Sequence, residues 1–255
     1  MDREQLFKDF KEKCVKRPEI CGQGNPNADI LIIGKEPAGE EFEDTNCQEY
    51  LDFLKRNYEE CGAHCFVESN HEINHFEQKY PQCKEVKTSI ATLSKTWKNY
   101  QKLINSIYNK PENQYVIDFE NFAYTTELSS MRRERSNYSK AKDGVIERLK
   151  FFQNSEFIKS FPVIILACGP YIKNKEVRQI DEYFHVKYDG DKTGKYYFTP
   201  QIWFYTHHSD DGSKRQLVIH TRQFSTFYGK VDELINGTEK VTGMAKVIRN
   251  HLGIE

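Results

Sequence analysis

Two polar side chains stand where buried apolar runs end. Glu36 follows Ile30-Leu31-Ile32-Ile33 and Gly34 in the stretch ILIIGKEPAGEE, and His220 closes Leu217-Val218-Ile219 in LVIHTRQFSTFYG. A side chain at the carboxyl end of a parallel strand reaches the crevice where open α/β sheets bind ligands. A carboxylate there can orient water and stabilise a developing positive charge, and an imidazole can exchange a proton near neutrality. The competing readings are a solvated loop acid for Glu36 and a core histidine with a satisfied hydrogen bond for His220. The spacing Gly34-x-x-Pro37 matches neither a dinucleotide fingerprint nor a P-loop, so this turn is no phosphate cradle. Glu40, Glu41, Glu43 and Asp44 fit a helix start or a solvated face.

Two other groups have chemistry-bearing types. Arg132, Arg133 and Arg135 form the best local basic run, either a phosphate-contacting patch or a solvated loop. Cys61, Cys65, His71, His75 and Cys83 contain enough ligands for a zinc ion, with His71 and His75 on one helical face. Their spacing fits no common finger, and such an ion would pin a loop rather than do chemistry.

The elements that position these residues follow from periodicity. Ile30–Ile33, Phe119–Tyr124, Val163–Ala167 and Gln216–Ile219 are short apolar runs without alternation, as in strands buried on both faces. Helical stripes separate them: Tyr50-Leu51-Leu54-Tyr58, Ile90-Leu93-Trp97-Tyr100-Ile104-Ile107, Val145-Leu149-Phe152 and Val241-Met244-Val247-Leu252. Leu6, Phe10 and Cys14 add an amphipathic N-terminal helix. The pattern predicts one α/β domain over residues 1–255, a three-layer α/β/α sandwich around a central, mostly parallel, four-stranded sheet. Insertions are expected at about 60–88 and at 184–207, the latter an antiparallel excursion with alternating aromatics around Asp-Gly and Thr-Gly turns.

Composition narrows the function classes. The chain has 255 residues, 38% hydrophobic and 29% charged, as a folded soluble protein would. Its formal net charge is −1, so any contact with nucleic acid must come from a local patch. The 17 Phe and 15 Tyr are flat rings able to pack or to stack on bases. No apolar stretch is long enough to cross a bilayer, and the N-terminus lacks a signal-peptide core. Seven cysteines without an export signal argue for thiols or metal ligands and so for a cytoplasmic protein; a monomer is expected.

The lead-in and turn GNPNADILIIGKEPAGEE resemble the first motif of the uracil-DNA glycosylase superfamily, especially its bacterial and archaeal iron–sulfur branch. LVIHTRQFSTFYG resembles the second motif, with His220 and Ser225 on its His and final Ser and Phe224 on its leucine. ENFAYTTELSSMRR is similar to the strand-end segment that carries a base-reading Asn, and VIILACGPYI to the strand that follows. The resemblance covers about residues 22–230.

It implies hydrolysis of the N-glycosidic bond of a flipped deoxyuridine, as in base-excision repair, with DNA as partner. Glu36 would act near the anomeric carbon and His220 would donate to the departing base oxygen, both facing one pocket. Gly34, Lys35, Pro37, Phe42, Thr125 and Thr126 would line the nucleobase pocket. Arg132, Arg133, Arg222 and Ser225 would hold the backbone, and Phe224 would fill the gap left by the base. The chain departs from the pattern at several points. Lys35 and Glu36 stand where the iron–sulfur branch has Glu and Ala, and Thr125-Thr126 stand for the Asn. Thr221 and Arg222 replace Pro and Ser. The cluster cysteines are missing from their places, so no iron–sulfur cofactor is expected. A catalytically silent nucleic-acid- or nucleotide-binding protein, and a nucleoside or nucleotide N-glycosidase, are the alternatives.

Overall fold

A computed structural model describes residues 2–17, 19–36, 48–49, 51–52, 54–55, 95–111, 118–130, 138–174, 177–190, 197–200, 202–209, 211, 215–227 and 230–255. The insertion at 60–88, with Cys61, Cys65, His71, His75 and Cys83, lies outside the described residues, as do Pro37, Phe42, Arg132 and Arg133.

The protein is a mixed α/β structure built on one large sheet. Its strands are β1 (Gln23–Gly24), β2 (Ile30–Gly34), β3 (Ala123–Glu127), β4 (Val163–Leu166), β5 (Val186–Tyr188), β6 (Tyr197–Thr199), β7 (Ile202–Ser209) and β8 (Leu217–Thr221). The order is β1-β3-β2-β4-β8-β7-β5, with β6 pairing β7 off this path. β3, β2, β4 and β8 are parallel, and Ile33 aligns with Leu166, which aligns with His220. These four are the strands expected from the apolar runs. Every residue of β2, β4 and β8 is buried, as central parallel strands covered on both faces must be.

Four strands are not the whole sheet. β1 adds antiparallel to β3, and β7 adds antiparallel to β8 with β5 beyond it. Within 184–207, β5 and β7 are antiparallel, as expected, and both extend the central sheet. Alternation in β7 buries Ile202, Phe204 and Thr206 on one side, which suits a strand near the sheet's edge.

Helices cover both faces. On one lie α1 (Arg3–Lys16), α4 (Tyr138–Gln153), α5 (Glu156–Lys159) and α6 (Gln179–Phe184). Phe10, Cys14, Leu149, Phe152 and Ile180 pack there with Leu31, Ile33, Leu166 and Val218. On the other lie α2 (Lys95–Ile107), α7 (Val231–Asn236) and α8 (Met244–Leu252). Leu103, Ile104, Ile107, Leu234 and Ile248 pack there with Ile30, Ile32, Ile165 and Ile219. Each fully buried aliphatic side chain of this kind contributes about 1.5–3 kcal/mol. No helix among the described residues is long and apolar enough to cross a membrane.

Two boundaries matter for the strand ends. Phe119–Phe122 is a helical turn, α3, rather than the start of a strand. Gln101 Oε1 accepts from the backbone N–H of both Asp118 (2.7 Å) and Phe119 (2.8 Å) and holds that turn against α2. β3 thus begins at Ala123, and Thr125, Thr126 and Glu127 belong to the strand itself.

Candidate functional site

The carboxyl ends of β2, β3, β4 and β8 lie side by side, and the polar groups there fall into two sets, one on each face of the sheet. Gly34, Glu36, Glu127 and Tyr100 belong to the α2 face. His220, Lys35, Tyr171 and the 3-10 turn Gly169–Tyr171 belong to the α4 and α6 face. The division follows from strand alternation: Glu127 shares the parity of Ala123, and His220 that of Val218.

On the first face, Glu127 is the residue that the sequence did not single out. Its carboxylate lies over Gly34 so closely that a Cβ on Gly34 would fall 2.2 Å from Oε2. The glycine after Ile33 thus leaves the space that the end of the Glu127 side chain fills and adopts no left-handed turn conformation. Glu127 as a residue keeps partial exposure, but its Oε2 is buried and has no hydrogen-bond partner. Burial, and then the charge of Glu36, push its carboxyl up to about 8, with Arg148 opposing. At neutral pH Glu127 is consequently a carboxylic acid. Glu36 is buried as well, and its Oε2 also lacks a partner. An unsatisfied buried acceptor costs about 1–3 kcal/mol, so these two atoms, after β2 and at the end of β3, weaken the fold rather than support it. Burial also raises the Tyr100 phenol, and Glu127 and Cys168 push it further.

On the second face, His220 is buried, and its Nε2 lies 2.8 Å from the main-chain oxygen of Gly169. A carbonyl only accepts, so Nε2 carries the proton and Nδ1 the lone pair; Nδ1 is buried without a partner. Burial lowers the imidazole to about 4, the Gly169 bond partly offsets this, and His207 lowers it further. The ring is neutral at physiological pH. With Nε2–H committed to Gly169, it presents an acceptor, and the donation to a base oxygen expected of it needs the ring to leave Gly169. Trp203 meets the ring edge-on at 5.2 Å.

Lys35 reaches the same face, with its ammonium 5.0 Å from the centre of the Tyr171 ring. Burial lowers its pKa, Glu36 and Cys168 oppose this, and Arg222 adds to it. Arg222 flanks Gly169, whose φ is +53° and whose added Cβ would lie 3.8 Å from the Arg222 Cα. Burial pushes the thiol of Cys168, just before that glycine, far above its ordinary range.

Several expected roles change. Phe224 is fully buried rather than an exposed wedge: it packs edge-on against Tyr100 (5.3 Å) and Phe227 (5.7 Å). Asn99 Nδ2 donates to its carbonyl at 2.7 Å. The apolar character that suited it to a base stack suits a core equally. Ser225 is half-buried in the 3-10 turn Phe224–Thr226. Thr125 donates to the main-chain oxygen of Gln23 (3.2 Å), and Thr126 accepts from Arg148 (3.2 Å), so both hydroxyls serve the fold. The specific lead-in Gly24–Asp29 is also structural: Asn25 holds the backbone of Glu120 and Asn121 and its side chain accepts from the Asn27 N–H.

Glu36 thus meets Glu127, and His220 meets Gly169 and Trp203; the two approach the strand ends from opposite faces of the sheet. Among the described residues no group of three or more His, Cys, Asp or Glu is arranged to hold a metal. The one signal that points to Glu127 in the sequence is a carboxylate closing the otherwise uncharged run Ala-Tyr-Thr-Thr-Glu. No family model, curated protein or solved structure matches the chain.

Proposed function

We propose that this chain hydrolyses the N-glycosidic bond of an extruded, deaminated nucleobase in DNA, on a uracil-DNA-glycosylase-like sandwich. The observation that supports this reading is the pair of buried, unsatisfied groups on the two motif residues: Glu36 Oε2 after β2 and His220 Nδ1 at the end of β8. β4 runs between those two strands in the sheet, so a base must span the end of β4 to reach both residues. Glu36 then orients water and offsets positive charge on the sugar. His220 stays neutral, and on leaving Gly169 its Nε2–H would donate to the departing base oxygen. Arg222 and Lys35 supply positive charge for a neighbouring phosphate.

Burial of Phe224 favours a second reading, a nucleoside or nucleotide N-glycosidase, because a monomeric substrate leaves no gap in a duplex to fill. One panel separates the two. Purified protein is incubated with uracil-, hypoxanthine- and xanthine-containing oligonucleotides and with the corresponding nucleotides. DNA-glycosylase action leaves abasic sites in the oligonucleotides, and Glu36→Gln slows cleavage far more than it weakens binding. Base released from monomers alone selects the second reading. Release from neither overturns both and leaves a binding protein.

A further inference from the structure

Two imidazoles on neighbouring strands fasten the loop 169–174, which leaves the end of β4, to the sheet. β7 lies beside β8 with Tyr205 opposite His220 and His207 opposite Val218. Both histidine rings therefore leave the sheet on the face covered by α4 and α6. His220 Nε2 meets the Gly169 oxygen (2.8 Å) at one end of the loop, and His207 Nε2 meets the Asn174 amide (3.1 Å) at the other.

His207 is fully buried, and its two ring nitrogens have partners of fixed character. Nδ1 lies 2.6 Å from Oδ1 of Asp181 on α6. A carboxylate oxygen only accepts, so Nδ1 carries the proton, and the Nε2 lone pair accepts from the Asn174 amide nitrogen. His207 is thus the tautomer opposite to His220. Burial lowers its pKa, Asp181 and Asp189 oppose this and Arg178 adds to it, so the ring is neutral at pH 7. Asn174 Oδ1 is buried and has no partner among the described residues. The amide thus gives up an acceptor in order to serve the ring. Its main chain is tied down as well: the Asn174 oxygen accepts from Arg178 (2.8 Å), and Gln179 Oε1 accepts from the Lys173 N–H (2.7 Å). At the other end Gly169, with φ +53°, supplies a turn that other residues rarely adopt. The loop therefore has an anchored end at Asn174 and a glycine turn beside His220.

Resting on the role proposed for His220, we propose that Asp181, His207 and Asn174 are positioning residues for it. By pinning the far end of the loop they hold the Gly169 oxygen against His220 Nε2–H. They thereby set the tautomer of His220 and how readily its ring leaves Gly169 for a substrate.

The test reads His220 in the full chain, without substrate, by nitrogen-15 NMR at pH 7. The observable is solvent exchange of the His220 Nε2 proton, compared with that of the main-chain amides of β4 and β8. Asn174→Ala is expected to speed exchange at His220 by about tenfold, the weight of one buried hydrogen bond, and to leave the amides unchanged. His207→Phe keeps a buried ring without either polar contact and should do the same. His207→Gln is able to donate to Asp181 and accept from Asn174, so it should restore the wild-type rate. Asn174→Ala, at a half-buried position, carries the test if His207→Phe does not fold. Unmoved exchange at His220 in Asn174→Ala overturns the proposal. So does an equal rise at His220 and in the amides, which is what general loosening of the fold produces, or a His207→Gln that exchanges as fast as His207→Phe. The outcome is separable from that of the reaction. The expected exchange pattern without cleavage of any substrate removes the glycosidase and keeps the positioning; cleavage with His220 exchange unmoved does the reverse.

Discussion

Replacing Glu127 by glutamine should change how stability depends on pH, whatever the protein's substrate. The native carboxyl titrates at about 8 against an ordinary value of 4.5. Between those values the folded chain holds a proton that the unfolded chain has released. The sign follows: the contribution is fully present below about 4.5 and is lost as pH rises through about 8. The loss is at most about 1.4 kcal/mol per pH unit, on the order of 5 kcal/mol in all. For a chain of this size that corresponds to a melting-temperature change on the order of 10 °C. Other groups titrate too, so the informative quantity is wild type minus Glu127→Gln, measured by urea unfolding at pH 5, 6, 7, 8 and 9. The difference should slope toward lower wild-type stability between pH 5 and pH 8 and flatten above that. Parallel curves, or a slope of opposite sign, would refute a buried neutral acid beside Glu36.

Gly34→Ala places a methyl 2.2 Å from Glu127 Oε2 and should cost about 1–3 kcal/mol; combining it with Glu127→Ala should recover part of that loss, and an additive double-mutant cycle would show that the two residues do not touch. Arg148→Met removes a buried guanidinium, strips Glu19 of its ion-pair partner and takes a donor from the Ile20 and Glu127 carbonyls, so urea unfolding should register a loss of about 3–5 kcal/mol. Phe224→Ala empties a core position and should cost about 3–5 kcal/mol in the absence of any DNA; a neutral effect on melting would restore the exposed-wedge role. Nitrogen-15 NMR should find the His220 proton on Nε2 at every pH above about 5, with titration near 4, and a ring that charges near 6.5 would contradict its burial.

Much of the frame was legible in the chain. Ile30–Ile33, Val163–Ala167 and Gln216–Ile219 read as buried parallel strands because nothing in them alternates, and strands wetted on one face cannot be uniformly apolar. The stripes on α1, α2, α4 and α8 were legible for the matching reason, a 3.6-residue period facing one core. The 184–207 segment was legible as antiparallel but not as part of the central sheet. Alternation reports that one face is buried and does not say against which neighbour. Phe119–Phe122 read as strand because it is aromatic, whereas Gln101, 17 or more residues away, captures its N–H groups and turns it.

At the strand ends the division is sharper. Amino-acid types and order alone determined that Glu36 and His220 close buried runs, because a strand carries its last side chain to its own end regardless of partners. Only the tertiary structure decided which groups meet there. It set Glu127 on Gly34 beside Glu36, gave the Nε2 proton of His220 to Gly169, and took Phe224 into the core. Each of these depends on the face from which a side chain leaves its strand and on which strand lies alongside. Register fixes both, and register is a property of the assembled sheet rather than of any one segment.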